Sequence, residues 1–160
     1  MTTTGGATRA RSVLQGLQAL VAAAPEDWIL VHDAARPCLP AGDLAALVAA
    51  CRRDEVGGLL ALPIAETVKL ADADGRSGRS VPRDGLWRAQ TPQMFRHGPL
   101  VRALIRALEE GFEPTDEAVA IERLGLRPRL VEGSPLNVKV TRPADLALAS
   151  AALRLLKEKS

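Results

Sequence analysis

Several segments of the sequence place polar side chains directly after an apolar run, where a strand would end. Asp33 and Arg36 follow the run at 28–31, and further candidates follow later runs. Ligands of an open α/β sheet bind beyond the carboxyl ends of its strands, so this pattern indicates a binding site. Basic residues that converge on one point can bind a small anion such as a phosphate. The candidates are Asp33, Arg36, Thr67, Lys69, Thr91, Gln93 and Lys139.

These candidates also have a purely structural interpretation. Asp33 and Arg36 are three positions apart and would also suit a local ion pair that ties a turn. Lys139 lies between two valines in the segment NVKVT. In a sheet that is buried elsewhere, such a lysine must find an anion or extend its charged end to water. His32 is expected to be a structural histidine at the strand end rather than a catalytic base.

The segment TDEA at 115–118 pairs two carboxylates, which suggests acid–base chemistry. The competing interpretation is a helix start, with Thr115 as the cap and Asp116 and Glu117 at the positive end of the helix dipole. We favour the helix start. The sequence contains no recognisable Ser/His/Asp constellation, zinc-ligand cluster or complete phosphate loop, and GGAT at 5–8 is a weak glycine signal.

The elements that must position these residues alternate between helix and strand. Apolar spacing predicts helices at 9–24, from a cap at Asp43 to about 54, at 100–108, at 115–124 and at 143–157. Strands are predicted at 28–31, 58–64, 86–90, 126–133 and 137–141, and the first two flank a helix as in a crossover unit. Two extended pieces around Asp-Gly-Arg-Ser-Gly predict a hairpin within 66–88. The fold class is therefore α/β.

Composition and charge exclude several function classes. The 160 residues suit one domain, so we expect a single domain over 1–160. A net charge of +2 and four aromatic residues, none of them tyrosine, argue against a nucleic-acid polymer as partner. No apolar stretch approaches the roughly 20 residues of a membrane span, and the first residues lack the apolar core of a secretory signal. We expect a cytoplasmic protein without a membrane partner.

Six segments, in this order, carry a family resemblance: GGATRARSVLQGL, VHDAARP, ALPIAETVK, QTPQMF, TDEA and VEGSPLNVKVTRPADLALA. Together they resemble the 2-C-methyl-D-erythritol 4-phosphate cytidylyltransferases of the non-mevalonate isoprenoid pathway, over residues 5 to about 153. The related ribitol-phosphate cytidylyltransferases would share TPQ or NVKVT, whereas HDAARP and TDEA favour the methylerythritol family. The resemblance implies a Rossmann-like nucleotidyltransferase sheet with helices on both faces and a projecting β-hairpin arm at about 66–88.

The resemblance also implies a reaction. The phosphate of methylerythritol phosphate attacks the α-phosphorus of CTP and releases pyrophosphate, while Mg2+ offsets charge on the triphosphate. This chemistry needs positioning and positive charge more than proton transfer. Arg83 and Lys139 match the residues that position methylerythritol phosphate, and Thr67 and Thr91 match residues that line its site.

The nucleotide side of the site is implied in the same way. Asp33 and Arg36 match a pair beside the nucleotide ribose and the substrate, and Asp33 is also the candidate for metal contact. The positions that match cytosine contacts are Gly6, Ala7 and Ser12.

In the resembled family the arm reaches across a homodimer, so Arg83 and Thr67 are expected to serve the neighbouring subunit's site. Members also begin with a strand and a glycine-rich loop whose Arg and Lys stabilise the triphosphate, and we expect this chain, truncated at its N-terminus, to lack that third of a typical member. The 160-residue product alone is therefore expected to have little or no activity. The alternatives are a non-catalytic dimerising or sugar-phosphate-binding fragment and a ribitol-phosphate cytidylyltransferase.

Overall fold

The computed structural model describes residues 2–158. Within them the chain forms five α-helices and six β-strands, which alternate along much of the sequence. No helix in this part of the chain is long and apolar enough to cross a membrane. The elements are α1 (Arg9–Ala19), β1 (Trp28–Val31), α2 (Ala41–Cys51), β2 (Gly57–Pro63), β3 (Val68–Ala71), β4 (Ser77–Val81), β5 (Trp87–Arg96), α3 (His97–Glu109), α4 (Glu117–Glu122), β6 (Arg129–Glu132) and α5 (Pro143–Glu158).

The main sheet has four strands in the order β1-β5-β2-β6. The central strand β5 runs antiparallel to both β1 and β2, so these two strands are parallel to each other on either side of it. β6 pairs with β2 in parallel, with Leu59 opposite Leu130. The predicted crossover from β1 through α2 to β2 is confirmed, and β5 is inserted between the two parallel strands.

Helices cover both faces of this sheet. Successive residues of a strand point to opposite faces, and neighbouring residues of β2 and β5 separate in this way. Leu59 and Phe95 belong to a buried cluster with α1, α3 and α4, whereas Leu60 and Met94 pack with α2. The α/β architecture with helices on both faces is therefore confirmed. Burial of each such side chain stabilises the fold by about 2 kcal/mol. Because helices pack on both faces of the sheet, the ends of its strands are held from two sides.

The predicted hairpin is also present. β3 and β4 pair antiparallel in a two-stranded sheet of their own, with Val68 opposite Val81. Gly75 lies in the connecting turn with φ of +75°, a conformation that glycine adopts without steric cost. Most residues of this hairpin are exposed. We call residues 66–86 the arm, because Trp87 and Arg88 already pair with β2 in the main sheet.

Two helix boundaries differ from the prediction. α1 ends at Ala19 rather than at 24, because Leu20 and Val21 are 39% and 91% exposed and offer no buried face to extend it. α2 begins at Ala41, where the N–H of Leu44 already donates to the carbonyl of Pro40 at 3.2 Å. Asp43 therefore lies in the first turn and is not the cap.

Two strand predictions were wrong, one in its extent and the other altogether. β5 runs from Trp87 to Arg96, because it is paired on both sides and its ladders continue past the predicted end. Thr91 and Gln93 consequently lie within a strand and not after one. The segment 137–141 forms no strand. The N–H of Val140 donates to the carbonyl of Ala35 at 2.8 Å, which attaches the segment without building a ladder.

Candidate active site

Asp33 is the centre of a cluster of charged side chains at the carboxyl end of β1. Lys139 Nζ lies 2.9 Å from Asp33 Oδ2, and Arg36 Nε lies 3.8 Å from the same oxygen. The backbone N–H of Asp33 donates to the hydroxyl of Thr91 on β5 at 3.0 Å. These four residues line a cavity of about 170 Å3. The structure thus brings together four of the residues that the sequence singled out, although they are far apart along the chain.

Arg9 belongs to the same cluster and was not predicted. Its Nε and Nη2 donate to Asp33 Oδ1 at 3.2 and 3.1 Å. Its Nη1 and Nη2 donate to Glu117 Oε1 and Oε2 at 2.7 and 3.1 Å, which is the bidentate geometry of a strong charged pair. A cation at the first position of a helix is unfavourable to the helix dipole. That conflict is the sequence signal that Arg9 must have a carboxylate partner.

The electrostatics of the cluster favour an anionic ligand. Burial acts to raise the pKa of Asp33, but the hydrogen bond from Lys139 and the charge of Arg9 outweigh it, so this pKa lies below its ordinary value. Burial lowers the pKa of Arg36; the charge of Asp33 opposes this shift and that of Arg88 adds to it. Beside this cavity the three cations Arg9, Arg36 and Lys139 meet three carboxylates, those of Asp33, Asp116 and Glu117. The excess of positive charge lies in the adjoining larger cavity, where Arg36, Arg88, Lys139 and Arg142 face the single carboxylate of Asp145. A phosphate would balance that charge.

The loop that carries Lys139 is attached to β5 by buried amides. Asn137 Nδ2 donates to the carbonyl of Thr91 at 2.8 Å, and Gln90 Nε2 donates to the carbonyl of Ser134 at 3.1 Å. Arg36 Nη1 donates to the carbonyl of Asn137 at 2.8 Å. These contacts fix the position of Lys139 although it lies outside regular structure. A second cavity of about 520 Å3 adjoins it and is also lined by Arg36, Arg88 and Arg142.

TDEA is a helix start, as favoured, but the cap is one residue later than predicted. Asp116 rather than Thr115 is the N-cap of α4, since its Oδ1 accepts from the N–H of Val119 at 2.9 Å. Asp116 Oδ2 accepts from Gln93 Nε2 at 3.0 Å, and Gln93 Oε1 accepts from the N–H of Ala118 at 2.7 Å. Gln93 therefore binds the start of α4 to β5, a role that the sequence analysis missed.

His32 has two partners that fix its tautomer. Its Nε2 lies 3.0 Å from the carbonyl oxygen of Arg36, which can only accept, so Nε2 carries the proton. Its Nδ1 then accepts from the hydroxyl of Thr91 at 3.0 Å. This arrangement agrees with the structural histidine expected from the sequence.

Of the predicted cytosine contacts, Gly6 and Ala7 lie in the loop before α1, and Ser12 lies near the start of α1 itself. Ser12 Oγ accepts from the N–H of Gly6 at 2.9 Å and donates to the carbonyl of Thr8 at 2.8 Å. A Cβ at Gly6 would lie 2.6 Å from the Cβ of Arg11, so this close approach requires glycine. Ala7 is exposed between them. The nucleotide role of these residues stays a prediction.

The arm does not bring its candidates to the cluster of its own chain. Thr67 and Arg83 are exposed and line neither of the two cavities beside Lys139. The guanidinium of Arg83 donates to the carbonyl of Ala65 at the base of the arm. Lys69 Nζ donates to Ser80 Oγ across the hairpin at 2.6 Å. The substrate roles of Thr67 and Arg83 stay predictions.

Metal contact by Asp33 also stays a prediction. Its two oxygens already accept from Arg9 and Lys139, so a metal would have to displace one of these cations. Within residues 2–158 no group of three or more His, Cys, Asp or Glu side chains is arranged to hold a metal ion.

A cationic cavity at a strand end of an α/β sheet is typical of enzymes that bind small phosphorylated substrates. Residues 1–155 match the family model described as IspD: 2-C-methyl-D-erythritol 4-phosphate cytidylyltransferase. The chain belongs to this family, which confirms the resemblance found in the sequence.

Two relatives with that same name show how much of the family the chain represents. The protein of Dechloromonas aromatica is 59% identical over 154 residues, which are 96% of this chain and 66% of the relative. The protein of Chromobacterium violaceum is 59% identical over 149 residues, which are 93% of this chain and 65% of the relative. The chain thus spans slightly less than two thirds of these relatives.

Solved structures agree on the fold. The 2-C-methyl-D-erythritol 4-phosphate cytidylyltransferase of Francisella tularensis matches with a TM-score of 0.87 and 36% identity, over 93% of this chain and 70% of that one. The enzyme of Thermus thermophilus matches with a TM-score of 0.84 and 37% identity, over 95% and 72%. The predicted nucleotidyltransferase fold is confirmed, and the ribitol-phosphate alternative is not favoured.

Proposed function

We propose that the protein transfers a cytidylyl group from CTP to 2-C-methyl-D-erythritol 4-phosphate and releases pyrophosphate. Family membership and the names of the relatives support this proposal. The observation that carries it is the cluster of Lys139, Arg36 and Asp33 beside the larger cavity, where four cationic side chains face one carboxylate. Such a cavity suits the phosphate that acts as the nucleophile.

In the proposed reaction the cluster binds and orients that phosphate. Lys139 is 43% exposed on its side chain, so one N–H of its ammonium group can stay on Asp33 while another donates to a phosphate oxygen. A phosphate oxygen attacks the α-phosphorus of CTP and a new P–O bond forms. The bond between the α-phosphorus and the oxygen that joins it to the β-phosphorus breaks, and that oxygen leaves with pyrophosphate. No proton transfer is required, because a phosphate monoester is already an anion. The residues act by positioning and by charge.

Mg2+ is proposed to accompany CTP. When bound, it would supply positive charge to the triphosphate, and such ions are usually held by substrate phosphates with one or two carboxylates. Asp33 does not fit a ready ligand, because both of its oxygens accept from cations. We therefore assign no step to the metal.

A homodimer joined through the arm is proposed as the assembly. The arm is exposed and forms a sheet of its own, and Arg83 lies outside the cavities beside Lys139 of the same chain. In such a dimer, Arg83 and Thr67 of one subunit would complete the site of the other. The cytoplasm is the proposed location, because CTP is highly charged and does not cross membranes unaided.

The turnover proposal is tested by pyrophosphate release from CTP in the presence of Mg2+. If the protein catalyses the proposed reaction, pyrophosphate release should depend on methylerythritol phosphate and not on ribitol phosphate. Loss of this release in Lys139→Ala, with retained folding, would assign it to the cluster. Release that is equal in both proteins would contradict the proposal.

A module that binds the sugar phosphate without turnover is the second proposal. It is supported by the cluster, which matches the sugar-phosphate side of the resembled site. Methylerythritol phosphate binding without pyrophosphate release by the 160-residue chain would favour this module over the enzyme.

A further inference from the structure

Arg9 and Glu117 form an ion pair beside Asp33, and Arg9 itself lines the smaller cavity. The Glu117 side chain is fully buried, and both of its oxygens accept from Arg9. Glu117 begins α4 and Arg9 begins α1, so the pair joins the starts of two helices that are 108 positions apart. The two residues are far apart in the sequence, so proximity along the chain does not explain their contact. Its place beside Asp33 indicates a role in the site.

Arg9 directs two further N–H donors to a single oxygen of Asp33. Nε and Nη2 donate to Oδ1, whereas Lys139 Nζ binds Oδ2 at 2.9 Å. A guanidinium is a rigid planar fork, so a fixed Glu117 determines the direction in which Arg9 faces. Asp33 is thereby held with Oδ1 towards Arg9 and Oδ2 towards Lys139.

We propose that Glu117 and Arg9 are positioning residues for Lys139. Glu117 orients Arg9, Arg9 orients the carboxylate of Asp33, and Asp33 holds the ammonium group beside the cavity. This inference deepens the proposed function and rests on it for its consequence in substrate binding. Without the charge of Glu117, Arg9 turns fully towards Asp33 and competes with Lys139 for its oxygens.

The first test needs no ligand. The motion of the Lys139 ammonium group is measured by NMR in the unsubstituted chain, in Glu117→Gln and in Glu113→Gln. The last is a matched control, because it removes the carboxylate partner of Arg11, which lies two residues further along α1. We expect the order of the Lys139 ammonium to fall in Glu117→Gln alone. An unchanged order in folded Glu117→Gln would overturn the inference.

A second variant covers the case in which Glu117→Gln does not fold. Arg9→Lys keeps the charge at a partly exposed position but removes the planar fork. It is expected to release Lys139 in the same way. Glu117→Asp keeps the carboxylate and should restore part of the order. A Lys139 that is equally ordered in Arg9→Lys would also overturn the inference.

The consequence for the ligand is tested by a double-mutant cycle on methylerythritol phosphate affinity. Glu117→Gln should weaken binding by about 10-fold, the lower end of the loss that follows removal of a residue that orients a metal ligand. In a Lys139→Met background it should weaken binding by no more than about twofold. Additive losses would show a merely structural role and overturn the inference. Absence of binding to the unsubstituted chain would instead overturn the proposed function, and the NMR comparison would still decide the inference.

Discussion

The cluster around Asp33 and the arm are built in opposite ways. Asp33 receives contacts from α1, from β5 and from the loop that carries Lys139, and each of these is attached to the core. The arm has exposed side chains and a sheet of its own, and its Lys69 binds only across the hairpin among the contacts described. The cluster is therefore fixed by the fold of this chain. In the proposed dimer, the arm takes its functional position from the partner subunit.

The largest contrast is expected between the two lysines. Lys139→Ala removes the ammonium group that faces the cavity and should weaken methylerythritol phosphate binding by about 100-fold, which corresponds to about 2.7 kcal/mol. Lys69→Ala, in the arm, should leave the affinity unchanged. Ligand-observed NMR competition measures both. Equal losses in the two variants would break the distinction between cluster and arm.

Asp33→Asn tests whether the cluster also stabilises the fold. The carboxylate accepts hydrogen bonds from charged donors, each worth about 1.5–3 kcal/mol, so we expect unfolding free energy to fall by about 2 kcal/mol at neutral pH. Because the pKa of Asp33 is lower in the folded state, its contribution is present above the unfolded pKa, about 3.9, and is lost as pH falls through the folded value.

Urea titrations between pH 2 and pH 7 measure this difference, a range chosen to bracket that transition. The difference in unfolding free energy between the unsubstituted chain and Asp33→Asn should be constant towards neutral pH and should decrease as the pH falls. A gap that does not change with pH would show that the charge of Asp33 contributes nothing to stability.

Two threonines, one beside the cluster and one in the arm, allow the stability of the two regions to be compared. The Thr91 hydroxyl accepts from the N–H of Asp33 and donates to His32, so Thr91→Val leaves a partly buried N–H without this acceptor and should cost about 1 kcal/mol. Thr67→Val, on the exposed base of the arm, should change stability by less than about 0.5 kcal/mol. Thermal unfolding compares them. A Thr67 variant as unstable as the Thr91 variant would contradict the expectation that contacts in the exposed arm contribute little to the stability of the main sheet.

The smallest global effect is expected at the arm turn. Gly75→Ala places a side chain at φ of +75° and should cost about 1–2 kcal/mol within the hairpin. Hydrogen exchange of the β3 and β4 amides should accelerate, while exchange in β5 stays unchanged. Faster exchange in both sheets would show that the arm and the main sheet unfold together.

The fold was predictable from the sequence where apolar periodicity and turn residues determine it. The crossover from β1 to β2, the hairpin and the helix α3 followed from these signals, and Gly111 ends α3 with φ of +73° as expected. Segment 137–141 was mistaken for a strand, because valines on both sides of a lysine resemble one. Its position is determined by tertiary contacts, such as the amide of Asn137 with Thr91.

The site was predictable only in part for the same reason. Asp33, Arg36 and Lys139 stood out by their place after apolar runs or within them, and the structure brings them together. Arg9 and Glu117 were not paired, because their contact joins distant helices and leaves no local spacing pattern. The unfavourable place of a cation at a helix start indicated a carboxylate partner for Arg9, but not which carboxylate.

Calorimetric titration of the 160-residue chain with methylerythritol phosphate and with CTP, in the presence of Mg2+, tests the central claim most directly. We expect methylerythritol phosphate to bind at one site per chain, with heat that disappears in Lys139→Ala. Binding of CTP as well would support the complete enzyme, and binding of the sugar phosphate alone would support the module. A folded chain that binds no methylerythritol phosphate would contradict the account.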